Sequence, residues 1–448
     1  MLPDLITNFI LGGKSMDIKR ALAIGVIGMV VAVNGCAQKP AQVETTSGNV
    51  DTSLIMEETR PDLKYPASID IGQSGLELDR LNENVAVSPD GTLGVLAASK
   101  VPKGKLPKGQ QIDYESHLVL VDLISGQISS LDKGQYMLPM EWSPQGDKIL
   151  YRKDDNLYIV DTAAKSIHRI AIGAYSGSIS PDGTKVAFVQ RGKGLFICDA
   201  DGTNVKKLSG EPGDWYPLWY PDGRSLFYFA DRQVGPGDGA GRIQGLGRID
   251  VATGQKDVLI PEEKGRYRRA EWIIPGKTLV VDKGWDDGFY EIVVNLESGG
   301  VYQLGEKAGT KTYSTAVDKS RGIVYKVQGS KITGIDANGR EIISFDIERP
   351  ERNKFAQDNG VAVSPDGKLM AYLSFKENSV DGQDGGRQVW VVSSDGSHPV
   401  QLSDYSSVYH APVWTPDAKN IIILDAGNGK DADRGSELQI LNVDSVLK

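Results

Sequence analysis

The sequence predicts an all-β protein. The expected fold is a β-propeller of four-stranded antiparallel blades, eight in number with seven as the alternative, its ring closed by an N-terminal strand. Three observations lead there. One short turn motif keeps recurring. Each copy is followed by β-rich runs that group in fours. The last group lacks a fourth strand, and a spare strand stands ahead of the first group.

The motif reads Val87-Ser88-Pro89-Asp90-Gly91, Trp142-Ser143-Pro144-Gln145-Gly146, Ile179-Ser180-Pro181-Asp182-Gly183, Trp219-Tyr220-Pro221-Asp222-Gly223 and Val363-Ser364-Pro365-Asp366-Gly367. Trp414-Thr415-Pro416-Asp417-Ala418 is a close variant. Trp272-Ile273-Ile274-Pro275-Gly276 is a worn copy, and Val317-Asp318-Lys319-Ser320-Arg321 keeps only the position. The copies lie 37 to 55 residues apart, a spacing typical of propellers and arrays. Pro presets φ for the first turn position, Asp bonds its own backbone, and Gly takes a positive φ. Each copy therefore reads as a hairpin turn, and its Asp as a turn former rather than a catalytic acid.

In the second repeat the runs are Leu138–Trp142, Lys148–Arg152, Leu157–Asp161 and Ile167–Ile172. In the third they are Ser176–Ser180, Lys185–Gln190, Leu195–Asp199 and Asn204–Leu208. Four strands in such a repeat make one blade, lettered A to D here. Repeat 8 supplies Ala411–Trp414, Asn420–Leu424 and Glu437–Val443 and then stops. Ala67–Ile71, ahead of the first A strand at Asn84–Ser88, is expected to fill the gap and remove an exposed sheet edge.

Composition fits an ordinary soluble domain, with 40% hydrophobic and 24% charged residues. The formal charge of −9 and the absence of a basic stripe argue against nucleic acid as a partner. His117, His168, His398 and His410 are scattered and stand at no metal-ligand spacing, so neither metal nor cofactor is expected. Cys36 and Cys198 are the only cysteines and suggest no disulfide framework.

Residues 1–35 read as a signal peptide, with Met16 as the expected true start. Lys19 and Arg20 precede an apolar run from Ala21 to Val33, too short to span a bilayer. The run ends in Val33-Asn34-Gly35-Cys36, which resembles the lipobox of bacterial lipoproteins. That resemblance implies lipid on Cys36, an extracytoplasmic location and a membrane anchor. Residues 36–60 then form a polar tether, and 61–448 the propeller.

The Trp-Ser-Pro-Asp-Gly hairpin with a following run like that at Lys148–Tyr151 resembles the WD-like repeats of the TolB family of β-propellers, over roughly Asn84 to Val443. The resemblance implies a protein-binding platform at the cell envelope. The family's named member has six repeats and an extra α/β domain, for which this chain lacks room, so its partners do not carry over. Peptidases with similar propellers need a Gly-x-Ser-x-Gly elbow, which this sequence lacks.

Long insertions at Val101–Ser116, Asp231–Gly241, Lys376–Arg387 and Ala426–Ser436 all fall in B–C connections. B–C and D–A connections emerge on one face of a propeller, and loop-rich faces often bind partners. On the D–A connections of that face the candidate binding residues are Tyr136, Trp215, Tyr216, Tyr267, Arg268, Tyr313, Tyr409 and His410. Aromatic rings with polar tips suit recognition, whereas rings within four residues of an A strand are expected to pack between blades. Trp142, Trp219, Trp272 and Trp414 are expected to be wedges between blades. The expected function is a non-catalytic protein-interaction platform, lipid-anchored at the envelope, binding an envelope protein. A carbohydrate- or peptide-binding propeller, or a propeller enzyme with an unrecognised metal site, are the alternatives.

Overall fold

The computed structural model describes residues 63–78, 85–100, 115–234, 241–285, 288–304, 314–328, 330–347, 360–375, 387–403, 411–425 and 436–444. They form eight antiparallel blades arranged as a β-propeller. Blade 2 runs Met137–Trp142, Lys148–Lys153, Asn156–Asp161, Ile167–Ile172. Blade 3 runs Ala174–Ile179, Lys185–Gln190, Gly194–Asp199, Lys206–Lys207. Each strand lies within one or two residues of its expected run, and strand D of blade 3 is shorter at both ends.

The turn motif folds as its chemistry requires. Ser180 Oγ donates to Asp182 Oδ1 at 2.6 Å, and that oxygen accepts the Thr184 N–H at 3.0 Å. The Lys185 N–H returns to Ser180 Oγ at 2.9 Å, and Gly183 sits at φ +71°. Blades 1 and 7 repeat the arrangement around Ser88–Asp90 and Ser364–Asp366, and blade 8 around Thr415–Asp417. Each turn starts strand B where strand A ends.

Packing explains why the blades form a ring. Eight apolar clusters fill the spaces between neighbouring blades, one for each junction. Between blades 2 and 3, for example, Leu150, Leu157 and Ile159 meet Val186, Phe188 and Cys198. Each fully buried aliphatic side chain there contributes roughly 1.5–3 kcal/mol. The A strands of blades 1 to 4 touch in sequence, as do those of blades 6 to 8. The D strands face outward, where Ile167, Val258, Val301 and Ile342 are exposed.

Closure occurs as the sequence suggests. Blade 8 consists of Val413–Trp414, Asn420–Asp425 and Glu437–Asn442, and its fourth strand is Ser68–Asp70. Ser68, Ile69 and Asp70 pair with Gln439, Leu438 and Glu437. The Ile71 N–H donates to the Ser436 carbonyl at 2.9 Å, and the Ile440 N–H to the Ala67 carbonyl at 2.9 Å. Ile69, Ile71, Leu438 and Ile440 join Leu96 and Val121 in the cluster between blades 8 and 1. Blade 1 departs from the plan. Two short segments, Glu77–Leu78 and Ala86–Val87, share the edge of Leu93–Lys100.

Blade 4 also corrects an expectation. Part of the Asp231–Gly241 insertion is strand: Ser225–Val234 pairs with Gly241–Asp250 as far as Val234 opposite Gly241. Residues 235–240, the core of the Gly-dense run read as a loop, lie outside the described residues, and the Gln244 amide donates to Asp231 Oδ2 at 2.8 Å. The other three insertions lie almost wholly outside the described residues.

Candidate functional site

The B–C and D–A connections share one face of the ring, and the A–B and C–D turns share the other. The first face holds the channel mouth. There each A strand begins beside the end of its own B strand, so the chemistry of these two positions defines the rim.

In blades 2 to 5 this rim repeats a pattern. Tyr136 precedes strand A of blade 2, and the Arg152 guanidinium stands 5.1 Å from its ring centre. In blade 3, Arg191 stands 5.9 Å from Tyr175, and in blade 5, Lys283 stands 5.7 Å from Tyr267. Such pairs attract through the ring quadrupole. Blade 4 keeps both residue types but aims its cation elsewhere. Arg232 donates to Asp214 at 2.7 Å, while Trp215 and Tyr216 stack around Phe229.

Bulges in the inner strands stand beside the aromatic residues in blades 3, 4 and 5 and further along the strand in blade 2. Pairing shifts register between Pro139 and Glu141, Ala174 and Ser176, Trp215 and Leu218, and Tyr267 and Ala270. The inner strands of blades 6, 7 and 8 pair without such a shift over their described residues. Bulges re-aim side chains and gather beside functional sites. In blade 4 the bulge carries Tyr216 at φ +60°, a backbone that disfavours a bulky residue. Its hydroxyl donates to the Ala270 carbonyl in blade 5 at 3.1 Å.

A buried polar frame supports the rim between blades 4 and 5. Asp214 is fully buried (0% exposed) and accepts from Arg232, from Lys256 at 2.7 Å and from the Ser209 hydroxyl. Gln244 accepts the Tyr267 N–H and donates to Asp231. Lys283 pairs with Glu263. Among the described residues, the buried Trp215 Nε1 and the Tyr267 hydroxyl find no hydrogen-bond partner. Burial pushes the Tyr216 and Tyr267 phenols up, so both stay protonated.

Further along the inner strand of blade 2, Glu141 reaches across to blade 3. Its Oε2 accepts the Ile179 N–H at 2.9 Å. Burial pushes its carboxyl up to about 7, outweighing the pull of the Ile179 and Ser178 hydrogen bonds.

Of the expected binding residues, Tyr136 and Arg268 lie on the rim, half-buried and exposed respectively. Trp215 and Tyr216 are half-buried and pack against the cluster between blades 4 and 5. Tyr267 is only 2% exposed and its ring stacks on Phe229, so it supports the rim instead of presenting a surface. Of these rings, Tyr136 lies on a D–A connection as expected and the other three do not. Trp215, Tyr216 and Tyr267 belong to strands Asp214–Trp219 and Arg266–Ile274, because the connections are shorter than the sequence suggests. Tyr313, Tyr409, His410 and Cys36 lie outside the described residues. Sequence reading passed over Glu141 and the Asp214 network. Their signal was an acid or a base inside a strand that also carries core residues.

The opposite face is less suited to a ligand. A hollow of about 380 Å³ between blades 2 and 3 is lined by Asp161, Asp199 and Asp201. All three already serve their own turns: Asp161 accepts two backbone N–H groups, Asp199 pairs with Lys185, and Asp201 accepts from Thr203. A second hollow of about 730 Å³ lies at the closure seam beside Tyr65 and Asp444. Among the described residues no group of three metal-binding side chains converges.

Residues 105–180 match the model of the dipeptidyl peptidase IV N-terminal region. The chain is 27% identical over 265 residues to the tricorn protease of Thermoplasma acidophilum, covering 53% of this chain and 23% of that protein. Among solved structures, dipeptidyl peptidase 4 of Porphyromonas gingivalis is similar at a TM-score of 0.53 and 15% identity, over 81% of this chain and 58% of that one. A TolB structure from Agrobacterium tumefaciens is similar at a TM-score of 0.37 and 15% identity, over 70% of this chain and 94% of that one. The chain thus spans under a quarter of its curated relative.

Proposed function

We propose that this propeller is a non-catalytic protein-binding platform that takes peptide segments of its partners at the mouth formed by blades 2 to 5. The carrying observation is the rim itself: in four consecutive blades an aromatic residue near the start of strand A and a cation near the end of strand B stand close to the same face, on inner strands that carry bulges which the described inner strands of blades 6, 7 and 8 lack. Tyr, Trp and Arg are the residue types enriched in binding hot spots. The sequence similarity to a protein named as a protease supports peptide over sugar as the ligand class.

The lipobox-like Val33-Asn34-Gly35-Cys36 supports a lipid tether at a bacterial envelope. Changing Cys36 to Ser should move the protein from the membrane fraction to the soluble one, and retention after carbonate washing would argue against the tether.

Photo-crosslinking in cells tests the mouth. A crosslinking residue placed at Tyr136 or Tyr175 should trap a discrete partner that Asp182 and Asp201 positions on the turn face do not. Trapping from the turn face alone would assign the wrong face.

The peptidase similarities favour a second reading, in which the propeller selects substrates for a hydrolase. Peptide hydrolysis that appears only when a hydrolase subunit is added would support it.

A further inference from the structure

Among the described residues, six other than glycine have positive φ. Five stand in turns and connections. Tyr216, at φ +60°, alone lies inside a strand, Asp214–Trp219. A bulky side chain disfavours that backbone, and so does the Pro217 that follows, which pushes its predecessor toward extended φ. The conformation is imposed from both ends. Asp214 is pinned by Arg232 and Lys256, and the Trp219 indole donates to the Ser178 carbonyl at 3.0 Å. Between these fixed points the register slips from Trp215 to Leu218, and the strain collects at Tyr216. Strain held in this way gathers at ligand clamps and switches.

Two contacts hold the side chain in place. Its ring stacks on Phe229 at 5.0 Å, and its hydroxyl donates to the Ala270 carbonyl of blade 5 at 3.1 Å. The closed arrangement also leaves hydrogen bonds unmade. Trp215 and Tyr267 touch the same Phe229 ring, at 5.1 and 5.4 Å between ring centres. The buried Trp215 Nε1 and Tyr267 hydroxyl have no hydrogen-bond partner. Buried indole and phenol donors ordinarily find one, and leaving them unmet costs free energy. A strained backbone and two orphaned donors thus stand against one stack and one hydrogen bond.

We infer that Tyr216 is a displaceable plug, and that the place it fills between blades 4 and 5 takes a tyrosine side chain of a bound peptide. The inference rests on the mouth being the binding site. Tyr216 itself defines the ligand. A phenol entering in its place stacks on Phe229 and donates to the Ala270 carbonyl, as Tyr216 does, without the strained backbone. The peptide's own carbonyls supply acceptors of the kind that the Trp215 N–H lacks. Once displaced, Tyr216 relaxes to negative φ. The ligand therefore works against a plug already under strain, and its differential affinity for the open state decides how far the plug moves.

The test follows plug and ligand together. Fluorotyrosine at position 216 of the full chain reports the plug by fluorine NMR. Two blocked tripeptides, alanine–tyrosine–alanine and alanine–phenylalanine–alanine, serve as ligands. The tyrosine peptide should move the position-216 signal, saturably, to that of a solvent-exposed ring. It should bind about fivefold tighter than the phenylalanine peptide, the difference that one hydroxyl hydrogen bond makes. Tyr216→Gly, in which φ +60° is unstrained, should bind the tyrosine peptide about tenfold tighter than the parent, because no plug has to leave. The measurement on the parent stands even if Tyr216→Gly does not fold. A saturable complex in which the signal does not move, no binding of the tyrosine peptide, equal binding of the two peptides, or no gain in folded Tyr216→Gly overturns the inference. If crosslinkers at Tyr136 and Tyr175 still trap a partner in that case, the mouth stands and only the plug is wrong; if they trap none, the mouth itself is misassigned.

Discussion

The Trp272 indole Nε1–H donates to the Trp219 carbonyl across 3.0 Å, tying the inner strand of blade 5 to that of blade 4. The same bond recurs elsewhere. Trp142 reaches Ala86 at 2.9 Å, Trp219 reaches Ser178 at 3.0 Å, and Trp414 reaches Ala362 at 3.1 Å. In each case a buried indole at the end of strand A bonds the preceding blade, so the Trp wedge is also a latch. Trp272→Phe keeps most of the ring and removes the donor, leaving the Trp219 carbonyl without it. The expected loss is about 1–3 kcal/mol in chemical denaturation. Unchanged stability would show that ring volume alone holds this junction.

Much of the fold was legible because its rules are local. Pro, Asp and Gly state each A–B turn through their own φ preferences and hydrogen bonds, and the missing strand of repeat 8 points to Ala67–Ile71. The site was legible only in residue type. Whether Tyr267 faces solvent or core depends on a bulge two residues wide, and nothing in Arg266-Tyr267-Arg268-Arg269 announces it. The Asp214 network was hidden for another reason. Its members, Ser209, Arg232 and Lys256, come together only when strands B and D of blade 4 meet the connection that leads into its strand A.

Closure predicts a sharp difference between two truncations. Removal through Ile71 takes away Ser68–Asp70 together with the buried Ile69 and Ile71, and it leaves Glu437–Asn442 as an exposed edge. Lost solubility or a clearly lower melting temperature is expected. Removal to Glu57 spares every one of these contacts and should change little. Equal melting temperatures for the two proteins would overturn closure by this strand.

The turns predict opposite effects for one swap. Ala418 sits at φ +59°, where a Cβ is strained, while the matching Gly183 sits at φ +71°. Ala418→Gly should be neutral or stabilise by up to about 1 kcal/mol. Gly183→Ala should destabilise by about 1–2 kcal/mol, and its Cβ would also stand 2.1 Å from Gln145 Oε1. Thermal melts of the two variants check the sign.

Glu141 predicts a pH dependence. Its folded pKa of about 7 lies above the ordinary value of 4.5, with burial as the main cause. The folded state then binds the proton more tightly than the unfolded chain. This residue's contribution therefore weakens stability as pH rises from about 4.5 to about 7 and is constant outside that window. Glu141→Gln removes the titration while keeping an acceptor for the Ile179 N–H. The variant should gain on the parent progressively across the window and hold that gain above it. A difference that does not vary with pH would contradict the shift.

Asp214 predicts the largest single loss. Its carboxylate, fully buried, is shared by Arg232 at the end of strand B and Lys256 at the start of strand D. It also accepts from Ser209, just before the D–A connection turns into strand Asp214–Trp219. One residue thus pins three segments of blade 4 beneath the rim. Asp214→Asn keeps the shape but removes the charge, leaving Arg232 with Glu262 at 3.3 Å and Lys256 without its carboxylate. Breaking a buried pair from one side typically costs about 3–5 kcal/mol, and the exposure of roughly a third on both cations places this case at the low end. Replacing Lys256 with Met in the same protein should recover part of the loss, since it removes the stranded cation. Denaturant titrations of the single and double variants check this. Losses that simply add would show that Asp214 and Lys256 are not coupled, and that the frame under the rim is held by packing instead.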